Sequence, residues 1–170
     1  MEIKIEKIKD NKEIYDLLFV WCNKEYVNKY FEQRKLSYEE IENKYKKRTS
    51  NYCKIKTYII SCDENKIGLV QYQKIDNIRK KECDLKEENV YEIDIFIGDE
   101  NYHNKGIGSK AIELIIKEIN NQKVDLIIMC PKKDNYNGIK CYQKVGFKKE
   151  KKFISTDTLG NKNEYILMTK

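Results

Sequence analysis

No apolar run in this sequence approaches the roughly 20 residues that a membrane-spanning helix needs, which excludes an integral helical membrane protein. The opening Met1-Glu-Ile-Lys-Ile lacks an apolar h-region, so no secretory signal is visible and a cytoplasmic protein is expected. A single proline and seven glycines exclude collagen-like and linker-rich designs. There is one histidine, His103, and none of the six cysteines forms a C-x-x-C pair, so no metal is expected. Cys22, Cys53, Cys62, Cys83, Cys130 and Cys141 read as free thiols, buried or incidental. Arginine is nearly absent as well: only Arg34, Arg48 and Arg79 stand among 34 basic residues. A nucleic-acid interface favours arginine for bidentate contacts, and the one dense basic cluster, Lys148–Lys152, flanks a predicted strand. No nucleic-acid partner is therefore expected, and salt-dependent binding to DNA or RNA is the property that would revive one.

What is present is a 170-residue chain, 40% hydrophobic and 36% charged, which fits one domain over residues 1–170. Ile3, Ile5 and Ile8 begin a strand. Asp10 with Glu13 reads as a capping-box variant opening a helix that carries Ile14, Leu17, Leu18 and Trp21. A short helix with Val27, Tyr30 and Phe31 follows, and Ser37 with Glu40 caps another before Ile41 and Tyr45. Strands at 52–61 and 66–76 form a hairpin about Asp63-Glu-Asn-Lys66. Residues 77–88 read as a polar loop. Residues 90–97 alternate, with Val90, Glu92, Asp94 and Phe96 on one face and Tyr91, Ile93, Ile95 and Ile97 on the other. A helix over 106–120, a buried strand at 124–129, a helix over 135–144 and strands at 147–154 and 163–169 complete the chain, with a turn at Leu159-Gly160-Asn161. The order β-α-α-β-β-β-α-β-α-β-β describes one mixed α/β sheet.

Chemistry concentrates in two segments. His103-Asn-Lys-Gly-Ile-Gly-Ser109 joins a strong strand to a strong amphipathic helix. Glycines there let backbone amides converge at a helix N-terminus, a site for pyrophosphate, with Ser109 and Lys105 or Lys110 as added donors. On residues alone a plain tight turn is an equal reading; the loop lacks both the Walker spacing and the third glycine of a dinucleotide fingerprint. The second segment is Asn135-Tyr-Asn-Gly-Ile-Lys-Cys-Tyr142-Gln-Lys-Val-Gly146-Phe147. By spacing alone Tyr142 is also a core aromatic beside Ile139 and Phe147, and Asp94 a solvent-facing strand acid.

Together the two segments resemble the GCN5-related N-acetyltransferase (GNAT) superfamily, whose loop pattern is usually [QR]-x-x-G-x-[GA]; His103 stands at the Gln or Arg position, and Gly106 and Gly108 match. The resemblance implies an α/β fold: a mixed, mostly antiparallel twisted sheet of about seven strands flanked by helices and splayed between strands 4 and 5. It implies acetyl-CoA as cosubstrate. His103, Asn104, Lys105, Gly106, Ile107, Gly108 and Ser109 would cradle the pyrophosphate. Ile95, Phe96 and Ile97 would pair with the pantetheine arm, and an N–H near Phe96 or Ile97 would polarise the thioester. Asn135 would bind the pantetheine. Tyr142 would protonate the leaving thiolate, and Asp94 would accept the amine's proton.

Within the superfamily the chain is most similar to aminoglycoside 6′-N-acetyltransferases, through Trp21 in its helix, Ile67-Gly-Leu-Val-Gln-Tyr72, Asp94–Tyr102, Ile139–Phe147 and Glu164–Met168. This implies Trp21, Tyr72, Glu92, Asp94 and Cys130 at the acceptor; Cys130 stands where that family often has an aspartate. Eight acids and one lysine between Glu82 and Glu100 read as support for a small cationic amine, with 77–88 able to close over it, or else as a solvated charge run. A polyamine, a protein N-terminus and, in another class, a non-catalytic acyl-CoA-binding module are the alternatives. A monomer or homodimer is expected.

Overall fold

The computed structural model describes residues 1–157 and 159–170. Strand β1 is Ile3–Lys7, followed by helices α1 (Lys12–Cys22), α2 (Glu25–Asn28) and α3 (Tyr38–Arg48). Then come β2 (Lys56–Cys62), β3 (Asn65–Lys74), α4 (Asn77–Glu82) and β4 (Val90–Ile97). Helix α5 (Ile107–Ile119), β5 (Leu126–Met129), α6 (Tyr136–Lys144), β6 (Lys148–Thr156) and β7 (Lys162–Thr169) complete the order. The seven strands form one sheet in the order β1-β2-β3-β4-β5-β7-β6, antiparallel except for the parallel pair β4–β5.

Both faces of the sheet are covered, as a parallel central pair requires. On one face α5 lays down a stripe of Ile107, Ala111, Ile112, Ile115 and Ile119, each 1% exposed or less, against Val70, Tyr72, Tyr91 and Ile93. Burial of each isoleucine stabilises by about 1.5–3 kcal/mol. On the other face α1 and α3 pack Leu18, Trp21, Ile41 and Tyr45 onto Ile59, Leu69 and Phe96. The alternation along β4 thus places Phe96 and Tyr91 on opposite faces, as the sequence predicts.

The β2–β3 hairpin turns on Asp63 and Glu64, both with positive φ (45° and 72°), between the paired residues Cys62 and Asn65. Gly68 lets β3 approach β4, because a Cβ there would overlap the Phe96 carbonyl oxygen.

Several expectations need correction. Tyr30 and Phe31 lie in turns beyond α2 rather than within it. The cap of α1 is Asn11, whose side chain accepts from the Glu13 N–H, while Asp10 accepts a hydrogen bond from the Tyr15 hydroxyl at 2.8 Å. The segment 77–88 is no free loop. Asp76 caps α4 through the Arg79 N–H at 2.8 Å, and Cys83 and Leu85 pack into a small core with Ile75, Val90, Ile128 and Phe153. Strand β2 begins at Lys56 rather than residue 52.

Candidate active site

β4 and β5 pair only at Val90↔Leu126, Tyr91↔Ile127 and Glu92↔Ile128. Beyond Glu92 they part, while β4 stays paired with β3 as far as Ile97. The backbone of Ile93–Ile97 therefore presents an open edge to a cavity of 580 Å³ between the strands. An open strand edge is a template for an extended ligand. Of the residues the sequence singles out, Asp94, Ile95, Phe96, Ile97, His103, Asn104, Gly106, Ile107, Gly108, Ser109, Cys130, Asn135 and Tyr142 line this one cavity.

At its mouth the chain enters α5 through two left-handed residues, Asn104 (φ 60°) and Gly106 (φ 77°). Gly106 is the N-cap; no side chain caps the helix and no acid lies in its first turn. The first residues of this 13-residue helix line the cavity, so its free N–H groups and the positive end of its dipole border it, which suits an anion. Lys132, Lys140 and Lys144 also line the cavity. Lys140 and Lys144 lie four apart on α6, a pairing visible in the sequence but not read from it. Lys105 lies outside the lining, its Nζ 5.6 Å from the Tyr102 ring centroid. The Ser109 hydroxyl sits 3.4 Å from the Cys141 thiol, tying α5 to α6.

His103 Nε2 donates to the Ile97 carbonyl at 3.0 Å, since a carbonyl can only accept. Its ring stands edge-on to Tyr26 at 4.9 Å. Tyr26 in turn donates to the Gly98 carbonyl at 2.6 Å. The α2 segment, which sequence reasoning did not bring to the site, adds Tyr26, Tyr30 and Phe31 to the lining. Lys29 pairs with Asp134 at 3.0 Å, and the Tyr30 hydroxyl donates to the Asp134 carbonyl at 3.3 Å, linking that segment to the approach of α6. Trp21 is not part of this cavity's lining; it is 4% exposed, packs edge-on to Phe96 and fills the space a side chain at Gly98 would need.

Asn135 caps α6, its Oδ1 accepting from the Gly138 N–H at 3.0 Å, which leaves its Nδ2 as a donor. Tyr142, 8% exposed, projects from the same helix. Burial, with smaller contributions from Cys141, Asp94 and Cys130, raises its pKa further, so the phenol keeps its proton. Cys130 packs beside Cys83, and that neighbouring thiol, together with burial, raises its pKa.

Asp94 lines both this cavity and a second one of 810 Å³. Burial first and the neighbouring Glu92 second push its carboxyl up to about 6. Gln71 Nε2 donates to its Oδ2 at 3.1 Å. Tyr72 and Glu92 line the second cavity only. Glu92, 7% exposed, is not free to meet a cation: Arg79 on α4 takes its two oxygens at 2.6 and 3.2 Å and also pairs with Glu82 at 3.0 Å. Glu87 and Glu88 are exposed. Of the acids of 82–100, Glu92 and Asp94 line the second cavity, which Lys54, Lys56 and Lys74 border as well.

Residues 11–154 match the family described as Acetyltransferase (GNAT) domain. Solved structures of the same fold include aminoglycoside acetyltransferase AAC(6')-Ib in complex with coenzyme A, at 17% identity and TM-score 0.77, covering 99% of this chain and 94% of that one. A GNAT-family acetyltransferase from Bacillus anthracis matches at 19% identity and TM-score 0.77, over 100% of this chain and 95% of the other. An acetyl transferase from Salmonella typhimurium, described as modifying the N-terminal serine of ribosomal protein L7/L12, matches at 15% and 0.77, over 99% and 94%. At such identities the likeness establishes the fold, and the family match extends it to descent: a splayed β4–β5 pair, an uncapped α5 behind a glycine loop and a tyrosine on α6 are carried by a chain that belongs to the GNAT acetyltransferase family.

Proposed function

We propose that the protein transfers the acetyl group of acetyl-CoA to a primary amine by direct attack, with both substrates bound at once. The observation that carries this is the position of Asp94, which lines the slot and the second cavity together. An amine arriving through the second cavity meets a carboxylate beside the slot without a covalent relay through the protein.

The residues fit the cosubstrate. The uncapped N–H groups of α5 suit its pyrophosphate, and a Cβ at Gly106 would project into open space at that cradle. The lysines of α6 add positive charge, and the open edge of Ile93–Ile97 suits an extended amide-bearing arm. Acetyl-CoA supplies the acetyl group as a thioester: a C–N bond forms at the carbonyl carbon and the C–S bond breaks. An N–H of the β4 edge near Phe96 or Ile97 stabilises the developing negative charge on the carbonyl oxygen. Asp94 takes the proton that the amine loses, its pKa near 6 suiting a base at neutral pH. Tyr142, held protonated, gives a proton to the departing sulfur. The products are an acetamide and the free thiol. The reaction is proposed for the cytoplasm.

The acceptor we propose is the 6′-amine of an aminoglycoside, which would confer resistance. Its support is the shared fold of AAC(6')-Ib, solved with coenzyme A and kanamycin, and the sequence segments that match its family. A second reading has its own observation. Glu92 is neutralised by Arg79, and Lys54, Lys56 and Lys74 border the second cavity, which favours an amine that also carries acidic groups, such as a peptide N-terminus with acidic residues near it. Mass detection of product from kanamycin, spermidine and a Ser-initiated acidic peptide separates them. Product from kanamycin supports the first reading and product from the peptide the second. Acetyl-CoA binding with no product from any amine would favour a non-catalytic acyl-CoA-binding module.

A further inference from the structure

The face of the sheet beneath α3 is apolar at Ile59, Leu69 and Phe96, but one row across three strands is polar. Thr57 on β2 pairs with Gln71 on β3, and Gln71 pairs with Asp94 on β4. Thr57 is 0% and Gln71 7% exposed. Arg48, the last residue of α3 and 8% exposed, donates through Nη1 to Gln71 Oε1, its guanidinium 4.9 Å from the Tyr45 ring centroid. Gln71 Nε2 donates to Asp94 Oδ2. The Thr57 hydroxyl is buried with no partner among the described residues. Such a row costs desolvation free energy that an aliphatic row of similar volume avoids, so stability is a poor reason for its presence.

The donor chemistry of the row runs one way. A guanidinium can only donate and a carboxylate can only accept, so the Gln71 amide between them has one satisfied orientation. We propose that Gln71 and Arg48 are positioning residues for Asp94: Arg48 locks the Gln71 amide, and Gln71 holds Oδ2 so that Oδ1 is left for the acceptor amine. This rests on the reading of Asp94 as the base. The charged and titratable groups facing Asp94 are Glu92 on its own strand, Arg79 from α4, Arg48 from α3, Tyr142 from α6 and Cys130 after β5. Of these, Arg79 and Arg48, with the Gln71 hydrogen bond, favour the ionised carboxylate.

The test is carbon NMR titration of the Asp94 carboxyl in the full chain, with kcat against pH on whichever of the three panel amines gives product. Gln71→Met and Arg48→Met are expected to raise the Asp94 pKa by about one unit. They should lower kcat about tenfold and leave the acetyl-CoA KM within about twofold. Arg48→Lys, which still donates to Oε1, should keep the wild-type pKa and most of the turnover. If Gln71→Met does not fold, Gln71→Glu removes the same donor while keeping a partner for Arg48, and should raise the Asp94 pKa further. An unmoved Asp94 pKa in either Gln71 variant overturns the positioning role. Asp94→Asn separates the two claims: a wild-type acid limb in that variant removes Asp94 as base and the positioning proposal with it. A limb lost in Asp94→Asn but unshifted in Gln71→Met removes the positioning alone.

Discussion

Arg79 grips both carboxylate oxygens of Glu92, at 2.6 and 3.2 Å, from a helix where the sequence suggests a loop. The pair lies two residues from Asp94, with the guanidinium 5.3 Å from the Phe153 ring centroid. Losing one partner leaves a carboxylate buried without compensation. Arg79→Met should therefore destabilise by about 3 kcal/mol, whereas Arg79→Met with Glu92→Met should recover most of that loss. Urea unfolding of the two variants checks it; equal destabilisation by both would mean that the loss comes from the packing of Arg79 itself and not from an unpaired Glu92.

Tyr142 combines burial with a raised pKa, so it remains a proton donor throughout the neutral range. Tyr142→Phe keeps the ring against Ile139 and removes only the hydroxyl. Turnover should fall on the order of 10²-fold with acetyl-CoA affinity within about twofold of wild type. Equal loss of both would make Tyr142 a packing residue.

Stability should carry the signature of Asp94. Its carboxyl ordinarily titrates at 3.8 and here at about 6, so the folded chain holds a proton that the unfolded chain has released. Stability is then highest at low pH in this window and falls as pH rises from 4 to 6 through the folded value. Asp94→Asn lacks that loss and should be more stable than wild type at pH above 7 by on the order of 2 kcal/mol, with the gap closing toward pH 4. Denaturant midpoints at several pH values measure it; a gap independent of pH would contradict the shift.

Gly106 occupies left-handed backbone, and a Cβ there meets nothing within 4 Å. Gly106→Ala should cost only about 1 kcal/mol of stability through its φ. Its larger effect should be on acetyl-CoA, whose dissociation constant is expected to rise about tenfold as the methyl enters the anion cradle. Calorimetric titration checks both; unchanged affinity would move the pyrophosphate away from this loop.

Strand β4 and helix α5 were legible because their signals are local and periodic. The strict alternation of Val90–Ile97 and the five-residue isoleucine and alanine stripe of α5 identify a strand and a helix without reference to anything distant. Helix α4 was not legible: in Asn77-Ile-Arg-Lys-Lys-Glu82 the only apolar side chain, Ile78, is 74% exposed, so no stripe marks it. It is fixed instead by the Asp76 cap and by Arg79 reaching Glu92. The same pairing takes Glu92 out of reach of a cationic ligand, since adjacency in sequence says nothing about which acids find a cation. The Arg48–Gln71–Asp94 chain joins residues from three elements and was invisible for that reason. His103 and Gly106 reach the cavity together because one loop keeps them close in the chain, and Asn135 reaches it from the separate segment that opens α6.

The most direct test of acetyl transfer in the slot is product mass from acetyl-CoA with kanamycin, spermidine and the Ser-initiated acidic peptide, run with wild type and with Asp94→Asn. The account predicts one product heavier by a single acetyl group with wild type, and loss of on the order of 10²-fold or more in its rate with Asp94→Asn. Acetylated product formed at the same rate by Asp94→Asn would contradict it.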